Sequence, residues 1–281
     1  MSKAVAKTET NTALVLNFDN VPDYLPLETK NSGIGNLDKD DFKTPRISLL
    51  QGLSPELQSF PGVAMANNFW HTGMSIGLGT SFKFVPLKAS KRVILFRPRT
   101  DAGGGMLAMS MDAKTWQMGG NSEFKVKLKE RKEPVIWKTG KDVISSGLCD
   151  WGSYNPDEDR SSPAATTFYE YLIYLPDRPD LGPCVLSSSK TGLSYAKTFN
   201  TSLLTIANTG KPIYCTVVEA FSQPENSDGN SWTVPNFKML GYAPKDIYEV
   251  SRNLADKYAD YKVEYNQEDA AAPTVDDEIK Y

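Results

Sequence analysis

Residues 82–99 (FKFVPLKASKRVILFRPR) and residues 124–129 (FKVKLK) set apolar and aromatic side chains between lysines and arginines. Aromatic and β-branched residues favour extended structure, so both segments predict β-strands. The alternation in 124–129 is strict, which predicts that its apolar side chains face the core while Lys125, Lys127 and Lys129 share the opposite face. These residue types suit nucleic acid, because positive charge neutralises phosphate and flat rings stack on unpaired bases. The alternative is a sheet whose aromatic residues are core and whose lysines are simply solvated.

The distribution of charge favours the first interpretation. The chain has 281 residues and a net charge of −3, which conceals a strong asymmetry. Residues 43–138 contain 15 basic and 6 acidic side chains, whereas residues 219–281 contain 6 basic and 13 acidic ones. A basic body followed by an acidic end is typical of a nucleic-acid-binding protein with a regulatory or partner-binding tail.

Predicted strands dominate the remainder of the chain. Alternation and β-branched composition predict strands at residues 82–87, 92–97, 124–128, 135–137, 166–175, 184–188, 212–221 and 231–242. Apolar residues at helical spacing predict an amphipathic helix within residues 189–208 and a second helix after Pro244. Residues 223–230 (QPENSDGN) predict a hairpin turn. The predicted fold class is therefore mainly β, in a β-rich α+β arrangement.

Several functional classes lack their usual residues. The cysteines, Cys149, Cys184 and Cys215, are widely spaced without a C-x-x-C pair, which argues against a disulfide framework and a cysteine zinc site. His71 is the only histidine, and nothing around it indicates an activated nucleophile. Acidic residues fall mostly in predicted turns, the last helix and the tail, so a magnesium-dependent nuclease is not expected. We therefore expect no enzymatic activity, no metal and no cofactor.

Three segments carry a resemblance to a known group of proteins. They are residues 41–56 (DFKTPRISLLQGLSPE), residues 96–99 (FRPR) with the glycines at 103–105, and residues 146–152 (SGLCDWG) with residues 163–166 (PAAT). Together they resemble a group of tailed-phage proteins that are often described as single-stranded-DNA-binding proteins. The resemblance spans roughly residues 40–245. It implies a phage protein that acts in the cytoplasm of an infected host cell, in DNA replication or recombination.

The last six residues carry a second resemblance. Residues 276–281 (DDEIKY) are similar to the C-terminal tip of bacterial and phage single-stranded-DNA-binding proteins, in which acids precede an apolar and an aromatic residue. Lys280 stands where proline is usual, and Tyr281 stands where phenylalanine is usual. The resemblance implies a tip that recruits replication and recombination proteins and competes with DNA for the protein's own basic groove. The residues concerned are Asp276, Asp277, Glu278, Ile279 and Tyr281.

We accordingly expect an elaborated barrel of the oligonucleotide-binding (OB) type, with one packed helix and one C-terminal helix. Residues 1–41 are predicted to be a flexible arm, residues 42–244 the OB-type nucleic-acid-binding domain, residues 245–265 the C-terminal helix and residues 266–281 a disordered acidic tail. The residues predicted to bind single-stranded DNA are Lys91, Arg92, Arg97, Arg99, Trp116, Lys125, Lys127, Trp137, Trp151 and Tyr154. Among the cations, Arg97 and Arg99 are the first choice for contacting phosphate. Pro98 between them lacks the backbone N–H that a β-ladder requires, which predicts the end of a strand.

Two rival functions remain. A virion structural or scaffold protein would also be β-rich, punctuated by proline and glycine, and equipped with a flexible arm. A nucleic-acid enzyme would need clustered carboxylates for Mg²⁺. No segment approaches the roughly 20 apolar residues of a membrane span, so a membrane partner is not expected, whereas an oligomer is compatible with the sequence.

Overall fold

The computed structural model describes residues 43–98, 105–129, 131–158, 160–227 and 229–261. The predictions of a flexible arm over residues 1–41 and a disordered tail over residues 266–281 lie outside these ranges. Within them the protein is mainly β, as predicted, and its principal sheet curls into a half-barrel consistent with an OB-like barrel. No helix of the described ranges is long and apolar enough to cross a membrane.

The strands and helices follow one another in a simple order. The strands are β1 Arg46–Leu49, β2 Phe69–His71, β3 Ile76–Gly79, β4 Ser81–Phe96, β5 Met106–Ser110, β6 Glu123–Val126, β7 Val135–Lys138, β8 Ala165–Tyr174, β9 Cys184–Ser189, β10 Thr216–Ser227 and β11 Asn230–Tyr242. The helices are α1 Glu56–Ser59, α2 Leu193–Asn208 and α3 Lys245–Lys257. The helices predicted within residues 189–208 and after Pro244 are therefore present as α2 and α3.

Strand β4 organises the sheet. The order of the described strands is β11-β10-β4-β8-β9-β1-β2-β3, and β5 pairs with the far end of β4. The first residues of β4 pair with β10, residues 85–95 pair with β8, and residues 93–96 pair with β5. The register shifts between Pro86 and Lys88, as expected where a proline removes a ladder donor. β1 pairs in parallel with β9, and the other ladders are antiparallel.

Side-chain alternation divides the apolar residues of β4 and β8 between two faces. Tyr171 and Ile173 lie in the core inside the curl, which α2 closes with Phe199. Leu172 lies on the opposite face, where α3 covers it with Leu254. The two helices therefore pack on opposite faces of the sheet because residues i and i+1 of a strand point in opposite directions.

A third apolar cluster lies beyond the end of β4. Strands β6 and β7 form a separate two-stranded ribbon, and Trp116 and Trp137 are buried beneath it with Leu95 of β4 and Leu148. A two-stranded ribbon is marginal by itself in water, so this cluster supplies most of the energy that holds the ribbon in place.

The structure corrects two local predictions. The strands predicted at 82–87 and 92–97 are one continuous strand, β4, whose exposed middle residues lower the apolar content without ending the ladder. The hairpin predicted at 223–230 is present, but its turn is shorter than predicted, because β10 continues to Ser227 and β11 begins at Asn230. Strands β1, β2, β3 and β5 were not predicted, since each has five residues or fewer and the segment containing β2 and β3 is interrupted by glycine.

Candidate nucleic-acid interface

The β6–β7 ribbon has one buried and one exposed face. Val126 and Trp137 point into the third cluster, whereas Lys125 lies opposite Ile136 on the exposed face. Lys127 continues the same face beyond the end of β6. The predicted alternation of 124–129 is thus confirmed, and it leaves lysine and isoleucine side chains facing solvent.

Few charges in the described part of the chain neutralise this exposed face. Lys138 forms an ion pair with Glu123 across the ribbon, with Nζ 3.2 Å from Oε2. Lys125, Lys127 and Lys129 have no ion-pair partner among the described residues. Three adjacent ammonium groups without a counter-charge among the described residues form a site that an external anion can occupy, such as the phosphates of a nucleic acid.

The loop formed by residues 148–164 lies beside the ribbon. Arg131, which follows the ribbon lysines, donates from Nε to Asp157 Oδ2 at 2.5 Å. The Tyr154 ring packs against Trp137 with centroids 5.8 Å apart, and burial raises the pKa of its hydroxyl. The polar and the aromatic contact together fix the loop to the same cluster that supports the ribbon.

Trp151 projects from this loop into solvent. Its side chain is 72% exposed, whereas the other four tryptophans of the described residues are buried or half-buried. The backbone beneath it is fixed, since Gly152 N–H donates to Ser161 O at 2.7 Å and Ser153 Oγ accepts from Ala164 N–H at 2.9 Å. An exposed indole on a fixed loop is an available stacking surface.

Lys91 lies on the sheet near this loop. Its side chain is exposed at the middle of β4, where Lys91 lies opposite Tyr169 of β8. Burial raises the pKa of the Cys149 thiol, and the positive charge of Lys91 opposes that shift. The ammonium group is therefore within electrostatic range of Cys149, two residues before Trp151.

Arg92 does not belong to the exposed surface. It is 2% exposed, donates from Nη2 to Glu170 Oε1 at 2.5 Å, and lies 5.4 Å from the Phe168 ring centroid. Glu170 also accepts from Arg46 Nη1 at 3.5 Å. The prediction that Arg92 contacts phosphate is wrong in this structure, because β4 turns its guanidinium inward onto a buried carboxylate.

Trp116 and Trp137 are likewise unavailable to bases. Both rings are almost fully buried in the third cluster, so the prediction that they stack on nucleic acid is wrong in this structure. Tyr154 is half-buried behind Trp137. Of the four aromatic residues predicted to stack, Trp151 alone presents an exposed ring.

Arg97 occupies the predicted position at the end of a strand. Its side chain is exposed, and its backbone N–H donates to Gly105 O at 2.8 Å just after β4 ends. Arg99 and the five tail residues, Asp276, Asp277, Glu278, Ile279 and Tyr281, lie outside the described residues. Ile136 was not predicted to belong to the surface, because residues 135–137 are all apolar and no alternation in the sequence marks the middle one as exposed.

The titratable groups do not assemble a metal centre. No group of three or more histidine, cysteine or acidic residues within the described ranges is arranged to hold a metal ion. His71 is fully buried, where its Nδ1 accepts from Met74 N–H at 3.2 Å and burial lowers its pKa. Cys184 and Cys215 are buried free thiols, as predicted.

Comparison with known proteins assigns the family. The model of the Pam3 phage gp34-like protein family matches residues 9–264. The chain belongs to this family. No curated protein and no solved structure matches the chain. The assignment agrees with the phage resemblance of the sequence.

Proposed function

We propose that this gp34-like chain binds single-stranded DNA without sequence preference during phage DNA replication or recombination. The observation that carries the proposal is Trp151, an indole 72% exposed on a loop that is itself held by backbone hydrogen bonds. Single-strand binders combine such rings with a positively charged track, and stacking contributes about 1–3 kcal/mol per base.

The cationic part of the proposed site consists of Lys91, Lys125, Lys127 and Arg97. Lys125 and Lys127 supply charge from the ribbon, and Lys91 supplies it beside the Trp151 loop. Phosphates repeat along every strand regardless of sequence, so these contacts fix the backbone without reading bases. Arg99 remains a predicted contact beyond the described residues.

Preference for single strands follows from the same chemistry. An exposed indole stacks on a base whose face is free, whereas in a duplex both faces of each base are already stacked. The proposed role is binding rather than catalysis, in the cytoplasm of an infected host cell. The acidic C-terminal residues, which resemble a partner-recruiting tip, would engage phage or host replication and recombination proteins.

The decisive experiment is fluorescence anisotropy of labelled oligo-dT, with duplex DNA as competitor. The wild-type chain should bind oligo-dT in a salt-sensitive manner, and duplex should compete poorly. Trp151→Ala should weaken binding by the roughly 1–3 kcal/mol of one stacked base. Lys125→Ala with Lys127→Ala should reduce the magnitude of the salt slope by about 1.4, at roughly 0.7 per phosphate contact on single strands.

A matched control uses lysines of the two long helices, which are not part of the proposed site. Lys197 on α2 and Lys245 on α3 are both exposed, so their double alanine variant removes the same net charge elsewhere. It should leave the salt slope nearly unchanged. Equal effects of the two double variants would contradict a localised site, and absence of oligo-dT binding by the wild-type chain would refute the proposed function.

A virion structural role is the second candidate, and a specific feature supports it. Leu53, Val63 and Met65 expose more than half of their side chains on one loop, which is typical of a protein-contact surface. The protein would then be found in purified phage particles and would fail to bind oligo-dT.

A further inference from the structure

The segment between β1 and β2 displays an apolar face that the proposed DNA site does not use. We define the apolar face as Leu53, Phe60, Val63 and Met65, with exposed fractions of 65%, 37%, 57% and 55%. Single exposed apolar residues are ordinary on a protein surface, but four within thirteen residues of one loop mark an interaction surface.

The loop that carries the apolar face is well fixed at its base. Leu50 N–H donates to Asn68 O at 2.9 Å, and Asn67 N–H donates to Leu50 O at 2.7 Å. The Phe60 ring packs against buried Trp70, with centroids 5.2 Å apart. A preorganised surface loses little conformational entropy when it is covered, so these contacts favour binding.

An open sheet edge adjoins the apolar face. β3 is the last strand of the sheet and pairs only with β2 among the described strands. The backbone of Val63 passes over this strand, since a methyl group placed on Gly77 would lie 3.7 Å from Val63 O. Unpaired backbone groups on an edge strand are a ready template for a further strand.

The scarcity of charge in this region indicates what kind of partner the apolar face can bind. Within the segment from Ile47 to Phe82 the only charged side chain is that of Glu56. Arg178 and Asp180, whose charges act on His71 of β2, have opposite signs and pair with each other, so they add no net charge. A twofold interface places the same residues on both sides, so a self-interface rich in one charge would repel itself. A face almost without charge avoids that repulsion and offers nothing to a phosphate backbone or to a strongly charged protein.

We propose that the apolar face and the edge of β3 form a twofold interface between two copies of this chain. Leu53, Phe60, Val63 and Met65 of one copy pack against the same residues of the other, and the two β3 edges approach each other. Methionine and aromatic residues at the centre and few charges are the composition expected of such a contact. This inference is independent of DNA binding, because the apolar face shares no residue with the proposed DNA site.

Sedimentation equilibrium of the full chain, free of nucleic acid, tests the proposal. Over about 1 to 100 µM the wild-type chain should show a monomer–dimer equilibrium. Val63→Asp should raise the dimer dissociation constant about tenfold or more, because it buries two like charges at the interface. Ile144→Asp is the matched control, since Ile144 is 80% exposed outside the apolar face, and its dissociation constant should equal that of the wild type.

A mixing experiment distinguishes loss of the interface from misfolding of the variant. Val63→Asp and Val63→Lys chains should each be largely monomeric with wild-type circular dichroism, and an equimolar mixture should dimerise again through opposite charges. A wild-type chain that is monomeric throughout would overturn the proposal. So would a dimer whose dissociation constant does not respond to Val63→Asp, because it would place the self-interface elsewhere.

Discussion

At the scale of single residues, the buried pair of Arg92 and Glu170 is where charge matters most for stability. Both side chains are 2% exposed, so removing one partner leaves the other charge buried and uncompensated. We expect Glu170→Ala to lower the free energy of unfolding by about 3–5 kcal/mol in urea denaturation. Lys138→Ala removes the exposed pair with Glu123 and should cost at most about 1 kcal/mol. Equal losses for the two variants would contradict the burial of Glu170.

His71 gives a second prediction at the residue scale. Burial lowers its pKa below the ordinary value of 6.5, Arg178 lowers it further, and Asp180 partly opposes the shift. As the pH falls below 6.5, the unfolded chain takes up a proton that the folded chain excludes. The free energy of unfolding therefore decreases as the pH decreases. One proton sets an upper limit of about 1.4 kcal/mol per pH unit on this slope.

Urea denaturation of the wild type and His71→Gln between pH 7 and pH 5 measures this slope. The variant should be less stable at pH 7 but should lose the dependence on pH in this window. Asp112 and Asp180 also have lowered pKa values, but carboxylates with an ordinary value of 3.8 act at lower pH. A wild-type stability that is flat from pH 7 to pH 5 would contradict a neutral buried His71.

At the scale of elements, the tryptophan buried beneath the ribbon contributes to stability, whereas the exposed tryptophan of the neighbouring loop is proposed to contribute to DNA binding. Trp137→Ala should destabilise the protein by about 3–5 kcal/mol, because its ring fills the cluster beneath the ribbon. Trp151→Ala should change stability by less than about 0.5 kcal/mol, because its ring contacts mainly solvent. Urea denaturation of both variants checks the contrast, and a large loss of stability in Trp151→Ala would show that its ring is buried.

The same two tryptophans show how far sequence reasoning reaches. Alternation predicted the exposed lysines of 124–129 correctly, because a strand with one buried face has a period of two. It could not separate Trp137 from Trp151, since stacking on a base and packing in a core require the same flat apolar ring. Long strands and both long helices were predictable from local pattern, whereas β1, β2, β3 and β5 have five residues or fewer, too few for alternation to identify them. Arg92 was misassigned because its carboxylate partner, Glu170, lies on a different strand, 78 positions away in the sequence.

At the scale of the whole molecule, the separation of charge along the chain predicts self-competition for DNA. Residues 267–281 carry five acidic side chains and one basic one, while the basic excess lies in residues 43–138. A chain ending at Asn266 should therefore bind oligo-dT more tightly than the full chain at low salt, and the difference should shrink as salt screens it. The full chain with Asp276→Asn, Asp277→Asn and Glu278→Gln keeps the length of the tail and removes most of its charge. It should bind nearly as tightly as the shortened chain in anisotropy titrations. If only the shortened chain bound oligo-dT more tightly, the presence of the tail rather than its charge would be the cause. If neither chain bound oligo-dT more tightly, the acidic residues would act only in binding partner proteins.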